Sequence, residues 1–425
     1  MKKNIFFALF LFLNLLVPLV TLTSCSTTDP KLEPDLKLEL KDVSCTEAWL
    51  QLTTNNIQLP ATINLLNNNV LSQIYVLNTQ DSLLYIDSLL PNQNYSFQVS
   101  SIQNPVSSNK VTATTLDTSS HNFTWQTFEF GQHSSSTLYD VAIINENDIW
   151  AVGEIYMNDS YGNPDPTSYN AVHWNGQNWE LIKIGGHGGY PRRTVFAFLE
   201  DDVWFDGVIK WDGVNYTVHM NGFPLEPNGD GWQVNKMWGS GSNDLYAVGA
   251  KGHIAQYNGS SWKKITTGTT SIINDAWGII NNQNKTIVYC AVSSFFVEDD
   301  KKILKIVDGV VDSVSWGRDI RLYSAWTNNE NFIYVCGEGV FVNKFDTWEQ
   351  INLPAITTNS IRGNDINDVF VVGSLGTIFH FNGMDWNVIS SFTQKENYRV
   401  DFKNNIVAIC GYYNGKGFVE IGRRN

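Results

Sequence analysis

From residue 36 onward the chain consists of short apolar runs broken by Asn, Gly, Ser and Pro. Several runs alternate apolar and polar positions: Ala48-Trp49-Leu50-Gln51-Leu52, Gln73-Ile74-Tyr75-Val76-Leu77 and Lys110-Val111-Thr112-Ala113-Thr114. A period of two marks half-buried strands, so residues 36–117 are expected to form a small two-sheet sandwich. Ala, Glu, Lys and Leu at helical spacing are missing, which excludes a coiled coil or a mainly helical protein.

A longer pattern begins near residue 136. Asn-Asp is followed by an apolar run ending in Gly, then a gap, a second apolar run, Asn-Gly, two residues and Trp. The clearest copy runs from Asn243-Asp244-Leu245-Tyr246-Ala247-Val248-Gly249 to Tyr257-Asn258-Gly259-Ser260-Ser261-Trp262. Others start at Asn147-Asp148 and Asn367-Asp368, with weaker copies between and after them. The repeat glycine position falls at Gly153, Gly207, Gly249, Ser293, Gly337, Gly373 and Gly411, separated by 54, 42, 44, 44, 36 and 38 residues. Four short strands in a period of about 40–45 residues describe a β-propeller blade. Asn-Gly predicts a tight hairpin, because both residues tolerate positive φ. The last copy ends at Asn425 without a fourth strand. The upstream segment Phe123–Phe130 carries Trp125-x-x-Phe128, the spacing of the fourth strand elsewhere (Trp179-x-x-Ile182, Trp262-x-x-Ile265). It is expected to complete the last blade and close the ring. The expected fold is all-β, with seven blades over residues 122–425, or eight if an insertion hides one.

Composition narrows the picture. Of 425 residues, 16% are charged against about 25% in ordinary soluble proteins, and 13% are aromatic. Aromatic residues at that level exclude intrinsic disorder. A net charge of −14 leaves no basic footprint for nucleic acid. Much of the unusual composition belongs to the repeat itself, whose turns use Asn and Gly and whose strands use Trp, Tyr and Phe.

Two segments resemble known families. Leu89-Leu90-Pro91, a turn, then Tyr95-Ser96-Phe97-Gln98-Val99 resembles the tyrosine corner of fibronectin type III domains, which implies a Tyr hydroxyl bonded back to the chain. Such domains serve as spacers or binding modules. The Asn-Gly-x-x-Trp hairpin resembles a degenerate Asp-box, and the whole repeat is similar to sialidase-like and photosystem II assembly-factor-type propellers. In those families the hairpin is structural, so the resemblance implies a fold and not a reaction.

The N-terminus reads as an address. Lys2 and Lys3 precede an apolar stretch from Ile5 to Val20, which ends at Leu22-Thr23-Ser24-Cys25. This resembles a bacterial lipobox and implies cleavage after residue 24, lipid attachment at Cys25 and a tether over 25–35. Ser26 in place of Asp implies an outer-membrane lipoprotein. The four other cysteines form no C-x-x-C pair, and three lie in apolar runs, so they are expected to be buried thiols.

Candidate chemistry is sparse. Walker, Gly-x-Ser-x-Gly and His-Glu-x-x-His motifs are absent. His173 and His380 share one repeat position with Lys210, Gln256 and Lys344, so no metal or cofactor is expected. The chain has eight arginines, several near the predicted innermost strands, with aromatic residues beside them. Arg suits carboxylate or phosphate, and aromatic faces suit sugars. Arg192, Arg193, Tyr190, Trp232, Arg321, Tyr323, Arg362 and Arg399 are therefore candidates for a ligand site at the channel mouth. The competing expectation is that these arginines pair with Asp140, Asp275 and Asp401 and hold blades together. The expected function is a lipid-anchored protein, surface or periplasmic, that binds a glycan or protein partner without catalysis. The alternative is a sialidase-like hydrolase or polysaccharide lyase acting on an anionic glycan, which convergent carboxylates at the mouth would favour.

Overall fold

The computed structural model describes residues 33–425 except 104, 186–189, 227–231 and 295–299. The lipobox at Cys25 and parts of three long loops lie outside these residues. The described chain is all-β apart from one short 3-10 turn at Ala250–Gly252. Among the described residues no helix is long and apolar enough to cross a membrane.

The first body is a sandwich. Strands Asp35–Val43, Ala48–Asn55 and Asp81–Ile86 form one sheet; Val70–Leu77, Ala61–Asn67, Asn94–Ser101 and Val111–Thr114 form the other. Alternate positions face inward, so Leu36, Leu38, Leu50, Leu52, Ile63, Leu65, Phe97 and Val99 make the core. The Tyr95 hydroxyl accepts a hydrogen bond from the Leu90 N–H at 2.8 Å, pinning the turn between them.

Residues 123–424 form seven four-stranded sheets, each antiparallel, arranged as a β-propeller. The innermost strand of each packs on that of the next, and the seventh meets the first. The closing strand is found as expected: Phe123–Phe130 pairs with Lys416–Arg424, with Phe128 opposite Val419. Hairpin chemistry repeats from copy to copy. The side-chain oxygens of Asn175, Asn258 and Asn382 each accept two backbone N–H groups across the turn. Asp212 does the same in a degenerate copy. An amide oxygen thus replaces the aspartate of a strict Asp-box without loss of the turn.

The other repeated polar positions also pair. The aspartate of each Asn-Asp or Asp-Asp turn holds the polar residue of the third strand: Asp148 with His173 at 2.8 Å, Asp202 with Lys210 at 3.0 Å, Asp244 with Gln256 at 2.8 Å and Asp368 with His380 at 2.9 Å. These histidines are structural partners of a turn. Cys45, Cys290, Cys336 and Cys410 are free and buried, as expected. Burial pushes the Cys336 thiol up to about 12, so it is inert as a nucleophile.

The sandwich is docked, not held at a distance. Trp49 points out of its sheet and sits 5.1 Å from the Phe332 ring and 5.3 Å from that of Phe345. The fifth sheet lacks the turn aspartate, and its Lys344 bonds Glu47 of the sandwich at 2.8 Å instead. Asp42 accepts from Asn331, and Asn367 donates to the Asp117 carbonyl. The sandwich thus packs against the propeller's fifth and sixth sheets.

The connector between the bodies carries a histidine pair. Nδ1 of His121 lies 2.7 Å from Nδ1 of His380. His380 Nε2 faces Asp368, whose carboxylate also binds Arg424. That pairing places the His380 proton on Nε2, so its Nδ1 accepts from His121. Burial holds the His380 imidazole below its ordinary value, against the opposing pull of Asp368. The unfolded chain therefore takes up the proton first, and acid removes stability. Thermal stability is expected to fall between pH about 7 and about 5. His380→Gln should flatten that slope, leaving the contributions of other groups such as His219 and His253, which burial also holds low. An unchanged slope in melting scans at several pH values would refute the assignment.

Candidate functional site

The channel is lined by the innermost strands, and pairing register sorts their residues into three levels. At the level of the repeat aromatic lie Ala142, Phe196, Trp238, Trp277, Trp326, Arg362 and Asp401, each opposite the equivalent residue of the second strand. One step up lie Asp140, Lys236, Asp275, Ser324, Ser360 and Arg399. Six of the seven innermost strands then carry a β-bulge at the same place. The bulged residues are Tyr139, Asn235, Asn274, Tyr323, Asn359 and Tyr398. All six line one cleft of about 400 Å³ at the channel mouth, together with Arg193.

The bulge explains the repeat glycine. At each bulge the innermost strand presses its backbone against the second strand. A Cβ on Gly153 would lie 2.0 Å from the Thr137 carbonyl oxygen, and on Gly249 1.9 Å from that of Gln233. Gly337, Gly373 and Gly411 meet the carbonyls of Arg321, Thr357 and Glu396 at 2.0, 2.2 and 1.9 Å. Five of the six bulged sheets carry glycine at this approach, and the fourth, with Ser293 at the repeat position, does not; the bulge re-aims one side chain of each such sheet into the mouth.

The residue type at this position decides its use. Asn235, Asn274 and Asn359 donate to the carbonyls of Ile273, Leu322 and Asn397 on the next sheet, at 3.0, 2.9 and 2.9 Å. They tie neighbouring sheets together. Tyr139, Tyr323 and Tyr398 are half-buried, and the rings of Tyr139 and Tyr398 lie 6.4 Å apart. Burial raises the Tyr323 and Tyr398 hydroxyls above their ordinary range, so both remain protonated donors.

Two cations face this cleft. Arg193 is exposed and lies 5.0 Å over the Tyr139 ring. Arg399 donates to the carbonyls of Asn359 and Asn274, both at 3.1 Å. Among the described residues neither is ion-paired. Among the described residues no Asp or Glu lines the cleft. The mouth is therefore a cationic, tyrosine-walled pit.

Of the residues picked from sequence, Arg193, Tyr323 and Arg399 meet here. The others do not. Arg362 is buried below, bidentate to Asp275, because it stands one level further from the bulge. Trp232 is buried against Phe223 in the third sheet's core. Arg192 pairs with Asp206 at 3.1 Å and Arg321 with Glu338 at 2.7 Å, so both serve loop structure. Tyr190 is exposed on an outer loop, its carbonyl accepting from Asn170. Sequence reasoning passed over Tyr139, Asn235, Asn274 and Asn359. A signal existed: Tyr139, Arg193, Asn235, Tyr323 and Asn359 each precede their repeat glycine by 14 residues. Among the described residues no cluster of His, Cys, Asp and Glu is placed to hold a metal ion.

No protein-family model and no curated protein matches the chain. Solved structures do. One is YCF48 bound to D1 peptide, with a TM-score of 0.50 and 15% identity, covering 71% of this chain and 97% of that one. A second is YCF48 from Cyanidioschyzon merolae, with a TM-score of 0.47 and 14% identity over 71% and 98% of the two chains. BamB from Moraxella catarrhalis is a more distant match, at a TM-score of 0.38 and 10% identity over 71% of this chain and 100% of that one. The first likeness shows the propeller fold. It assigns no activity.

Proposed function

We propose that this chain is a lipid-anchored outer-membrane protein, surface or periplasmic, whose propeller captures a glycan or protein partner at the channel mouth without catalysis. The observation that carries this reading is the mouth itself: tyrosine faces and two cations converge, and among the described residues no carboxylate lines the pit. Glycoside hydrolysis ordinarily needs two carboxyl groups flanking the scissile bond, and the described residues of this pit supply none. A carboxylate on the partner would satisfy Arg193 and Arg399, and the tyrosines would pack on a sugar ring or an apolar side chain. A propeller of similar fold is known in complex with a peptide. The anchor rests on the Lys2–Cys25 pattern, and the fibronectin-like reading of the sandwich on its sheet order and the Tyr95–Leu90 bond.

Glycan-array and pull-down screens on the chain from residue 26 onward test the reading. Arg193→Ala is expected to weaken capture by about tenfold, the worth of one charge-assisted hydrogen bond. Arg193 is exposed, so its loss leaves the fold intact. Capture unaffected by Arg193→Ala and by Tyr398→Ala would sink the proposal. Turnover of an anionic glycan would favour an enzyme instead. Loss of palmitate labelling in Cys25→Ser checks the anchor.

A further inference from the structure

Each of the seven sheets sends one side chain into the mouth from the same position of its innermost strand. Three are tyrosines, three are asparagines and one is Arg193. The fold leaves much of their hydrogen-bonding capacity open. Asn274 and Asn359 donate their amide N–H groups to carbonyls of the neighbouring sheets, and among the described residues their Oδ1 atoms accept nothing. The hydroxyls of Tyr139, Tyr323 and Tyr398 likewise have no hydrogen-bond partner among the described residues. None of these five atoms is buried. Charge at the mouth is positive. The pairs beneath it, Lys236 with Asp140 and Arg362 with Asp275, are each neutral, and Arg193 and Arg399 stand above them. Of the acids near the tyrosines, Glu338 pairs with Arg321, and neither it nor Glu396 lines the cleft.

A circle of polar groups at one level sets the shape of what fits. The occupant must be polar all round its edge and carry an anionic group on one side. An extended peptide carries its amides along its length and enters such a circle by one end. A pyranose ring carries hydroxyls round its whole edge. Each hydroxyl both donates and accepts, so it suits amide oxygens and tyrosine hydroxyls alike. We propose that the mouth binds a hexuronate, either as a free sugar or as the terminal residue of an acidic glycan. This rests on the mouth being the binding site and narrows its ligand to one class. The carboxylate pairs with Arg193, and Arg399 adds charge from the floor. The sugar hydroxyls donate to Asn274 and Asn359 and exchange hydrogen bonds with the tyrosine hydroxyls. The cleft of about 400 Å³ lies within the roughly 300–1,000 Å³ of small-molecule sites.

Calorimetry on the wild-type protein with methyl β-D-glucuronide tests this, against two controls. Methyl β-D-glucoside keeps the hydroxyls and lacks the carboxylate; cyclohexanecarboxylate keeps the ring and carboxylate and lacks the hydroxyls. Saturable glucuronide binding is expected, with each control weaker by about tenfold or more. Tyr323→Phe and Tyr398→Phe, which keep the ring, should each weaken the glucuronide by about three- to tenfold. No glucuronide binding, or a control that binds as tightly, overturns the proposal. A capped Gly-Glu-Gly peptide separates this failure from failure of the site. Arg193-dependent peptide binding without glucuronide binding overturns the hexuronate and keeps the mouth as a partner site; no Arg193-dependent ligand overturns both. A trisaccharide ending in glucuronate distinguishes the sources: tighter binding than the monosaccharide supports a glycan end, and equal binding supports the free sugar.

Discussion

Arg362→Met is expected to destabilise the protein by about 3–5 kcal/mol, the usual cost of leaving one partner of a buried ion pair unmatched. Arg362 and Asp275 are both essentially inaccessible to water. The guanidinium makes two bonds to the carboxylate, at 2.8 Å each, and one to the Ile361 carbonyl at 2.7 Å. Burial alone would push the Asp275 carboxyl up, but Arg362, helped by Arg399 and Lys236, holds it below its ordinary value. The same carboxylate accepts the Ala325 N–H and the Ser324 hydroxyl of the next sheet, so its loss spreads round the ring. Equilibrium urea unfolding measures the cost. The double variant Arg362→Met with Asp275→Asn should recover part of it, because no bare charge is left behind. A single variant as stable as wild type, or a double variant worse than the sum of its parts, would show that the pair does not lock the channel.

Removing residues 123–130 is expected to abolish the folded propeller. That strand contributes eight residue pairings to the last sheet and nothing to any other. Phe123 and Trp125 pack on the sixth and seventh sheets, and Phe128 and Phe130 on Trp179 of the first. Fully burying one such ring contributes about 1.5–3 kcal/mol; these four are half-buried, and together they still make up several kcal/mol of the 5–15 kcal/mol by which typical domains are stable. Deletion also bares the long edge of Lys416–Arg424, a template for aggregation. Soluble yield and size-exclusion profile give the readout. A monodisperse product with a wild-type melting transition would mean that the ring closes by other contacts.

Fold and site were legible in the sequence to different depths, as three arginines illustrate. Arg193, Arg362 and Arg399 all lie near the start of an innermost strand, and composition treats them alike. Their fates differ with their distance from the bulge. Arg193 stands at the position of the re-aimed residues, on the second sheet, and reaches solvent; Arg399 follows the re-aimed Tyr398 and lies at the floor; and Arg362 sits one level deeper, against the buried Asp275. Period-two reading cannot place a bulge, because the extra residue breaks the alternation on which that reading relies. Trp49 shows the same limit. In its run it alternates with Ala48 and Leu50, which face the sandwich core, and nothing in its neighbourhood says that Phe332 and Phe345 would cover it.

By itself the sequence determined the blades, their turns and the closing strand. These depend on contacts between near neighbours: a side-chain oxygen reaching two N–H groups across a hairpin, an aspartate reaching the adjacent strand, an aromatic repeating in phase. Tertiary structure alone decided which polar residues face water. Closing the sheets into a ring brings seven distant segments to one axis, where their charges must match or be left over. Asp275 found Arg362 and Asp140 found Lys236, while among the described residues Arg193 and Arg399 at one end and Asp401 at the other form no ion pair. That remainder is a property of the closed ring, since each partner lies at least one blade away.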